Sequence, residues 1–215
     1  ATGRMYTMTK PFCDEFGIKN MVTDGGFGTV LSAEVDIKPL DKQMMIDIVD
    51  VFEEKGIPWA ICLADERVWH TKTKKFYDIM KKETQNYMDT VIDPNLDIRK
   101  VKDVFKGFAC INLEEAQLEA LKNVTYTRYR PNYIIIEPDD KSLGIRKVMD
   151  LMGIEDQDVV VFGDNTNDIK MFRPEWTSIA MGNAVEELKK IADFVTKDAD
   201  DGGIEHACRH FGWID

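Results

Sequence analysis

Long apolar runs are missing from this chain. Nowhere do its 215 residues approach the roughly 20 consecutive apolar positions that a bilayer-spanning helix needs. Positive charge is also short: 28 Lys and Arg stand against 39 Asp and Glu, a net charge of −11. A field of that sign repels nucleic-acid phosphates and anionic lipid heads, so neither is an expected partner. The four cysteines, Cys13, Cys62, Cys110 and Cys208, form no C-x-x-C pair, which argues against a zinc site or a disulfide framework and for reduced core thiols. The three histidines, His70, His206 and His210, have no ligand spacing and read as surface or packing residues. There is no internal repeat, low-complexity tract or Pro-rich linker. No charged-then-apolar leader opens the chain, which sets the expectation of a cytoplasmic protein. An acidic chain can still handle a small phosphorylated substrate if it gathers a few cations or a metal ion at one spot.

With 44% hydrophobic and 31% charged residues, the composition is that of a globular protein, long enough for one α/β domain or a core with a smaller companion. Residues 41 to 55 place Met45, Ile48, Val49 and Phe52 on one helical face, with Asp41 as N-cap and Gly56 as stop. Strands are expected over Ile57–Leu63 and Lys106–Asn112, helices over Lys74–Met88 and Leu113–Asn123, and a half-exposed antiparallel strand over Val124–Tyr129. From Tyr133 the texture changes. Tyr133–Ile136 and Val159–Phe162 are short continuous apolar runs, the pattern of strands covered on both faces in a doubly wound parallel sheet. Helices are expected over Ser142–Met152, Asn167–Phe172, Ala184–Ile191 and Gly203–His210, with short strands over Ser178–Met181 and Phe194–Thr196.

The strongest local signal is Gly163-Asp164-Asn165-Thr166-Asn167-Asp168, directly after the Val159–Phe162 strand. In open parallel sheets ligands bind just beyond the carboxyl ends of the strands. Two carboxylates four residues apart are hard oxygen donors suited to Mg²⁺ beside a substrate phosphate. A polar turn in which Asn and Asp cap the next helix accounts for the same residues. Lys141 stands at a helix start, where the macrodipole disfavours a cation unless an anion is near; pairing with Asp139 or Asp140 is the plainer account. Thr2-Gly3-Arg4 offers a hydroxyl and backbone N–H groups to a phosphate, and Met181-Gly182-Asn183-Ala184 reads as an ordinary turn into a helix. Arg99, Arg128 and Arg130 read as solvated charge.

The order Thr2-Gly3-Arg4, Lys141, Gly163-Asp164-x-x-Asn167-Asp168, Met181-Gly182-Asn183-Ala184, Ala192-Asp193 and Asp201-Gly202-Gly203 resembles the Cof-type branch (subfamily IIB) of the haloacid dehalogenase-like hydrolases. The resemblance implies an α/β fold: a Rossmann-like parallel-sheet core over residues 1–34 and 131–215, with an α/β cap inserted over 35–130. It implies a Mg²⁺-dependent phosphatase of small phosphorylated metabolites, a monomer or weak homo-oligomer. Thr2 and Gly3 would bind phosphate, Lys141 would stabilise the phosphoryl charge, and Asn167 would contact phosphate. Asp164 would ligate Mg²⁺, and Asp168 would support the metal or orient Lys141. Phosphoryl transfer needs mainly positioning and charge neutralisation, which such a set supplies.

One departure concerns the family's D-x-D-G-T motif, whose first aspartate is the nucleophile. The resemblance places it upstream of Thr2-Gly3-Arg4, so the nucleophile and its strand are expected before Ala1. Val22-Thr23-Asp24-Gly25-Gly26 lacks the first aspartate and falls where the family has a strand ending in an Asn-Gly turn; Asp24 is read as that turn residue. The alternative is a non-catalytic phosphate-binding module of the same fold. A receiver-like phospho-acceptor domain is disfavoured by order, because Thr2 and Lys141 precede Asp164.

Overall fold

The computed structural model describes residues 1–84, 88–112 and 118–215. The chain forms two compact units, Ala1–Asp139 and Asp140–Asp215. The first opens with helix α1 (Tyr6–Glu15) and a three-stranded antiparallel sheet, β1 (Met21–Thr23), β2 (Gly28–Leu31) and β3 (Glu34–Ile37). Helix α2 (Lys42–Glu54) follows, capped by Asp41, whose carboxylate accepts from the Met44 N–H at 2.7 Å. Then come β4 (Trp59–Cys62), β5 (Val68–Thr71), α3 (Lys74–Thr84), β6 (Asp89–Ile92), β7 (Lys106–Ala109), β8 (Tyr126–Arg130) and β9 (Tyr133–Ile136). They build a sheet in the order β6-β5-β4-β7-β9-β8, in which only β5 and β6 run parallel.

Strand alternation sends alternate side chains to opposite faces of this sheet. Trp59 and Ile61 of β4, Ala109 of β7 and Ile134 and Ile136 of β9 pack with Met45, Ile48, Val49 and Phe52 of α2. Ala60, Cys62, Phe108 and Tyr133 pack on the other side with Phe76 and Met80 of α3 and with Met5. Tyr133–Ile136 therefore does not belong to a parallel core. It pairs antiparallel with both β7 and β8, and its continuous apolar run reflects helices on both faces of a largely antiparallel sheet. It shares one sheet with β4–β8, inside the first unit. Residues 85–87 of the expected Lys74–Met88 helix and 113–117 of the expected Leu113–Asn123 helix lie outside the described residues; Glu119–Leu121 forms a 3₁₀ turn. Helix α1, β2, β3, β5 and β6 carry no strong sequence pattern, whereas β1 lies where the resemblance has a strand ending in a turn.

The second unit is a parallel three-stranded sheet in the order β10 (Val160–Gly163), β11 (Thr177–Ala180), β12 (Phe194–Val195). Helix α4 (Lys141–Met152) precedes it. Asp140 caps that helix by accepting from the Ser142 N–H, and Gly153 ends it in the left-handed region. A 3₁₀ segment, Thr166–Met171, follows β10 where a helix over Asn167–Phe172 is expected. Short α5 (Glu186–Lys189) and α6 (Gly203–His210) complete the unit. Val161, Met149, Met171 and Trp176 form one buried cluster, and Ala180, Met181, Ala184 and Leu188 another.

The β1–β2 connection carries the most unusual side chain of the first unit. Asp24 and Gly25 both take left-handed backbone, φ +52° and +64°. A Cβ on Gly25 would stand 1.8 Å from the Pro138 carbonyl oxygen, so only glycine fits there. The Asp24 side chain is buried, and neither its carboxylate oxygens nor the Thr23 hydroxyl has a hydrogen-bond partner among the described residues. Burial pushes the Asp24 carboxyl up to about 6, while the Lys106 charge pulls it down. An unfolded chain releases this proton near pH 4. Between about pH 4 and 6 the folded state therefore holds the extra proton, so stability falls as pH rises through that window and stays lower above it. A shift of about two units corresponds to ~3 kcal/mol. Asp24→Asn is isosteric, uncharged and tolerant of the left-handed region. It should melt above the wild type at pH 8, with the difference closing toward pH 4 in circular-dichroism melts. Equal melting temperatures at pH 8 would show that the ionised carboxylate is accommodated without cost.

Candidate active site

Asp168 is the hub of the second unit. It is buried, and its Oδ1 pairs with Lys141 Nζ, itself buried at the first turn of α4. Its Oδ2 accepts from the backbone N–H of Asp164 at 3.0 Å and of Asn165 at 3.3 Å. One carboxylate thus neutralises a buried cation and fixes the turn after β10. Asn165 and Asp168 form a reciprocal capping box at the start of the 3₁₀ segment, with Asn165 Oδ1 also accepting from the Thr166 N–H at 2.7 Å. The capping account of this loop holds, and the same carboxylate also meets the buried Lys141 charge.

Glycine makes the arrangement sterically possible. A Cβ on Gly163 would lie 2.8 Å from the Asp168 Cβ and 2.7 Å from the Phe172 ring, so any side chain there displaces Asp168. Asp164 is held through its backbone at both ends: its N–H donates to Asp168 and its carbonyl accepts from the Val185 N–H at 3.0 Å. Its carboxylate is exposed. Asn167 is half-buried in the first turn of the 3₁₀ segment. Lys141 pairs with Asp168 rather than with Asp139 or Asp140; the Asp140 carboxylate is engaged by the Ser142 N–H and hydroxyl.

The donor set suits a hard divalent cation of the Mg²⁺ type, which keeps several waters and takes only one or two protein carboxylates beside substrate phosphate. Asp164 carries an exposed carboxylate. Both Asp168 oxygens are engaged, and no cluster of three His, Cys, Asp or Glu side chains suited to a metal occurs among the described residues. The Met181–Ala184 turn is structural: Gly182 N–H donates to the Lys197 carbonyl and Asn183 Oδ1 accepts from the Ala199 N–H, each at 2.9 Å.

Thr2 and Gly3 belong to the first unit. Thr2 N–H donates to the Val22 carbonyl at 2.8 Å, Gly25 N–H donates to the Thr2 carbonyl at 3.1 Å, and Asp24 N–H to the Arg4 carbonyl at 2.9 Å. Thr2 Oγ1 accepts from the Arg4 N–H at 3.1 Å, and the Gly3 carbonyl accepts from Lys106 Nζ at 2.8 Å. Lys106 also pairs with Glu137, and both side chains are buried. Nothing in the sequence marks Lys106, whose partners lie 103 and 31 positions away.

The remaining candidates play structural roles. Arg99 pairs with Asp50 at the surface, and Arg128 donates to the carbonyls of Ile111, Asn112 and Pro131. His210 stacks on Phe194 at 4.2 Å, and His206 Nδ1 lies 3.0 Å from the Thr196 hydroxyl. All four cysteines are free, and burial pushes the Cys62 and Cys110 thiols up to about 12. No described helix is long and apolar enough to cross a membrane.

Among proteins of known sequence, the putative phosphatase YkrA of Bacillus subtilis is 29% identical over 219 aligned residues, covering 100% of this chain and 84% of that protein. The 5-amino-6-(5-phospho-D-ribitylamino)uracil phosphatase YwtE of the same organism is 31% identical, over 56% of this chain and 43% of its own length. A crystal structure of a hypothetical protein from Geobacillus kaustophilus superposes with a TM-score of 0.84 at 26% identity, covering 99% of this chain and 84% of that one. A HAD subclass IIB sugar phosphatase superposes with a TM-score of 0.76 at 26% identity, covering 100% and 85%. The haloacid dehalogenase-like hydrolase profile matches residues 1–208, and the chain belongs to that family.

Proposed function

We propose that the protein is a Mg²⁺-dependent phosphatase of small phosphorylated metabolites, sugar phosphates or similar, acting in the cytoplasm through an aspartyl-phosphate intermediate. The observation that carries this reading is the buried Lys141–Asp168 pair anchored to the backbone of Asp164 and Asn165. A cation held in a dry, preorganised position is what stabilises charge on a transferring phosphoryl group, and it needs no reorganisation at the moment of reaction. In this reading Lys141 is that cation and Asn167 hydrogen-bonds phosphate oxygens. Thr2 and Gly3 form a phosphate-binding loop through the Thr2 hydroxyl and the Gly3 N–H. Asp164 holds Mg²⁺, which when bound neutralises phosphate charge. Asp168, with its oxygens already engaged, orients Lys141 rather than acting as a principal ligand. The six-stranded sheet with α2 and α3 serves as the cap. Relatives named as phosphatases support the reaction class, and one of them, named a sugar phosphatase, supports the substrate class.

The direct test is release of inorganic phosphate by the complete protein from a panel of sugar phosphates, nucleoside monophosphates and pyridoxal phosphate, with and without Mg²⁺. Turnover that needs Mg²⁺ is expected; no release from any compound with Mg²⁺ present would sink the proposal. Lys141→Met should lower kcat by about 10²–10³-fold, the usual effect of removing one preorganised charge-stabilising donor. A loss confined to KM would show that Lys141 only binds substrate. For the metal, isothermal titration calorimetry should find Mg²⁺ affinity reduced ~10-fold or more in Asp164→Asn, with the melting temperature little changed because that side chain is exposed. Unaltered affinity would move the metal elsewhere.

A further inference from the structure

We propose that Lys106 is a positioning residue of the Thr2-Gly3-Arg4 loop: it turns the Gly3 carbonyl inward so that the loop presents only donors to a phosphate. This rests on the reading of that loop as phosphate-binding. A carbonyl oxygen facing a phosphate repels it, so an anion-binding loop must dispose of its own acceptors. Here all three carbonyls are engaged. Thr2 O accepts from the Gly25 N–H at 3.1 Å and Arg4 O from the Asp24 N–H at 2.9 Å, both backbone donors of the β1–β2 turn. Gly3 O is taken by a side chain, Lys106 Nζ, at 2.8 Å.

The donors are the complement of this pattern. In a trans peptide the N–H and C=O point opposite ways, and the described chain has no cis bond. Tying Thr2 O to Gly25 therefore turns the Gly3 N–H away from the β1–β2 turn. Thr2 Oγ1 already accepts from the Arg4 N–H at 3.1 Å, which leaves its proton to donate elsewhere. The loop thus keeps one hydroxyl and one N–H for an anion, while Lys106, together with Thr2 Oγ1, holds the following Gly3–Arg4 peptide with its carbonyl turned inward.

Lys106 is suited to fixing a direction rather than supplying a field. It sits on β7, flanked on both sides by β4 and β9, and its charge is met by Glu137. The two side chains are 6% and 4% exposed. A buried pair of this kind adds little to stability compared with apolar residues of similar size. The Glu137 end is anchored in the same cluster, since the neighbouring Pro138 carbonyl abuts Gly25, whose N–H holds Thr2 O.

The test measures inorganic phosphate binding to the complete protein by calorimetry, together with kcat and KM for its best substrate. Lys106→Met alone strands the Glu137 carboxylate and is expected to lower the melting temperature, so the informative variant is Lys106→Met/Glu137→Gln, which removes both charges. That double variant should bind phosphate about fivefold to tenfold more weakly, the worth of one hydrogen bond, with KM raised by a similar factor and kcat changed far less. Wild-type phosphate affinity in a folded double variant would overturn the proposal. Thr2→Val separates this from the reading beneath it. If Thr2→Val weakens phosphate binding and the double variant does not, the positioning role fails alone; if Thr2→Val has no effect, the phosphate-loop reading fails, and the positioning role with it.

Discussion

An ammonium group taken out of water must find an anion within hydrogen-bond reach, and much of this chain's polar architecture follows from doing so twice. Lys106 meets Glu137 in the first unit and Lys141 meets Asp168 in the second, every one of the four side chains buried. Each pair would be a poor investment if stability were all it supplied, because desolvating two charges offsets most of their attraction. Neither stops at the pair, however. Lys106 goes on to the Gly3 carbonyl, and Asp168 to the backbone of Asp164 and Asn165. The buried charges therefore serve as fixed points from which two exposed loops take their shape.

The sequence discloses the loops more readily than the fixed points. Gly163-Asp164-x-x-Asn167-Asp168 is legible because its residues are contiguous and follow an apolar strand, and Lys141 because a cation at a helix start asks for a counter-charge. Its partner is not a local one, and it is the resemblance rather than the neighbouring sequence that sets Asp168 beside it. The neighbours Asp139 and Asp140 are near in sequence, but Asp140 is used as the helix cap, and the partner comes from 27 residues downstream. Lys106 had no comparable signal, since a lysine at the start of a strand is ordinarily solvated and the burial of its ammonium is decided wholly by tertiary packing. Asp24 was readable as a turn residue, which its left-handed backbone bears out, but not as a buried carboxylate.

The fold shows a similar boundary between local and non-local information. Helix α2 appears with its cap, its stop and all four buried positions because each signal lies within one amphipathic segment. Tyr133–Ile136 was found as a strand to the residue, but its partners were not. A continuous apolar run reports burial on both faces and says nothing about strand direction. Parallel sheets reach that condition through crossover helices; here α2 and α3 reach it on a sheet whose central pairings are antiparallel.

A division of labour among side chains explains how the second unit's loop can be hydrogen-bonded to the chain and still keep an exposed carboxylate. Asp168 and Asn165 spend their hydrogen-bonding capacity on the chain itself, one on Lys141 and two N–H groups, the other on the first turn of the 3₁₀ segment. Asp164 is fixed through its main chain, by Asp168 at its N–H and Val185 at its carbonyl, and its carboxylate is exposed. Such economy depends on close backbone approach, and Gly163 permits it: any Cβ there would collide with Asp168 and Phe172. The side chains left over are then those the scaffold does not need, which is why a loop that reads as an ordinary helix cap also has the form that the proposed binding role requires.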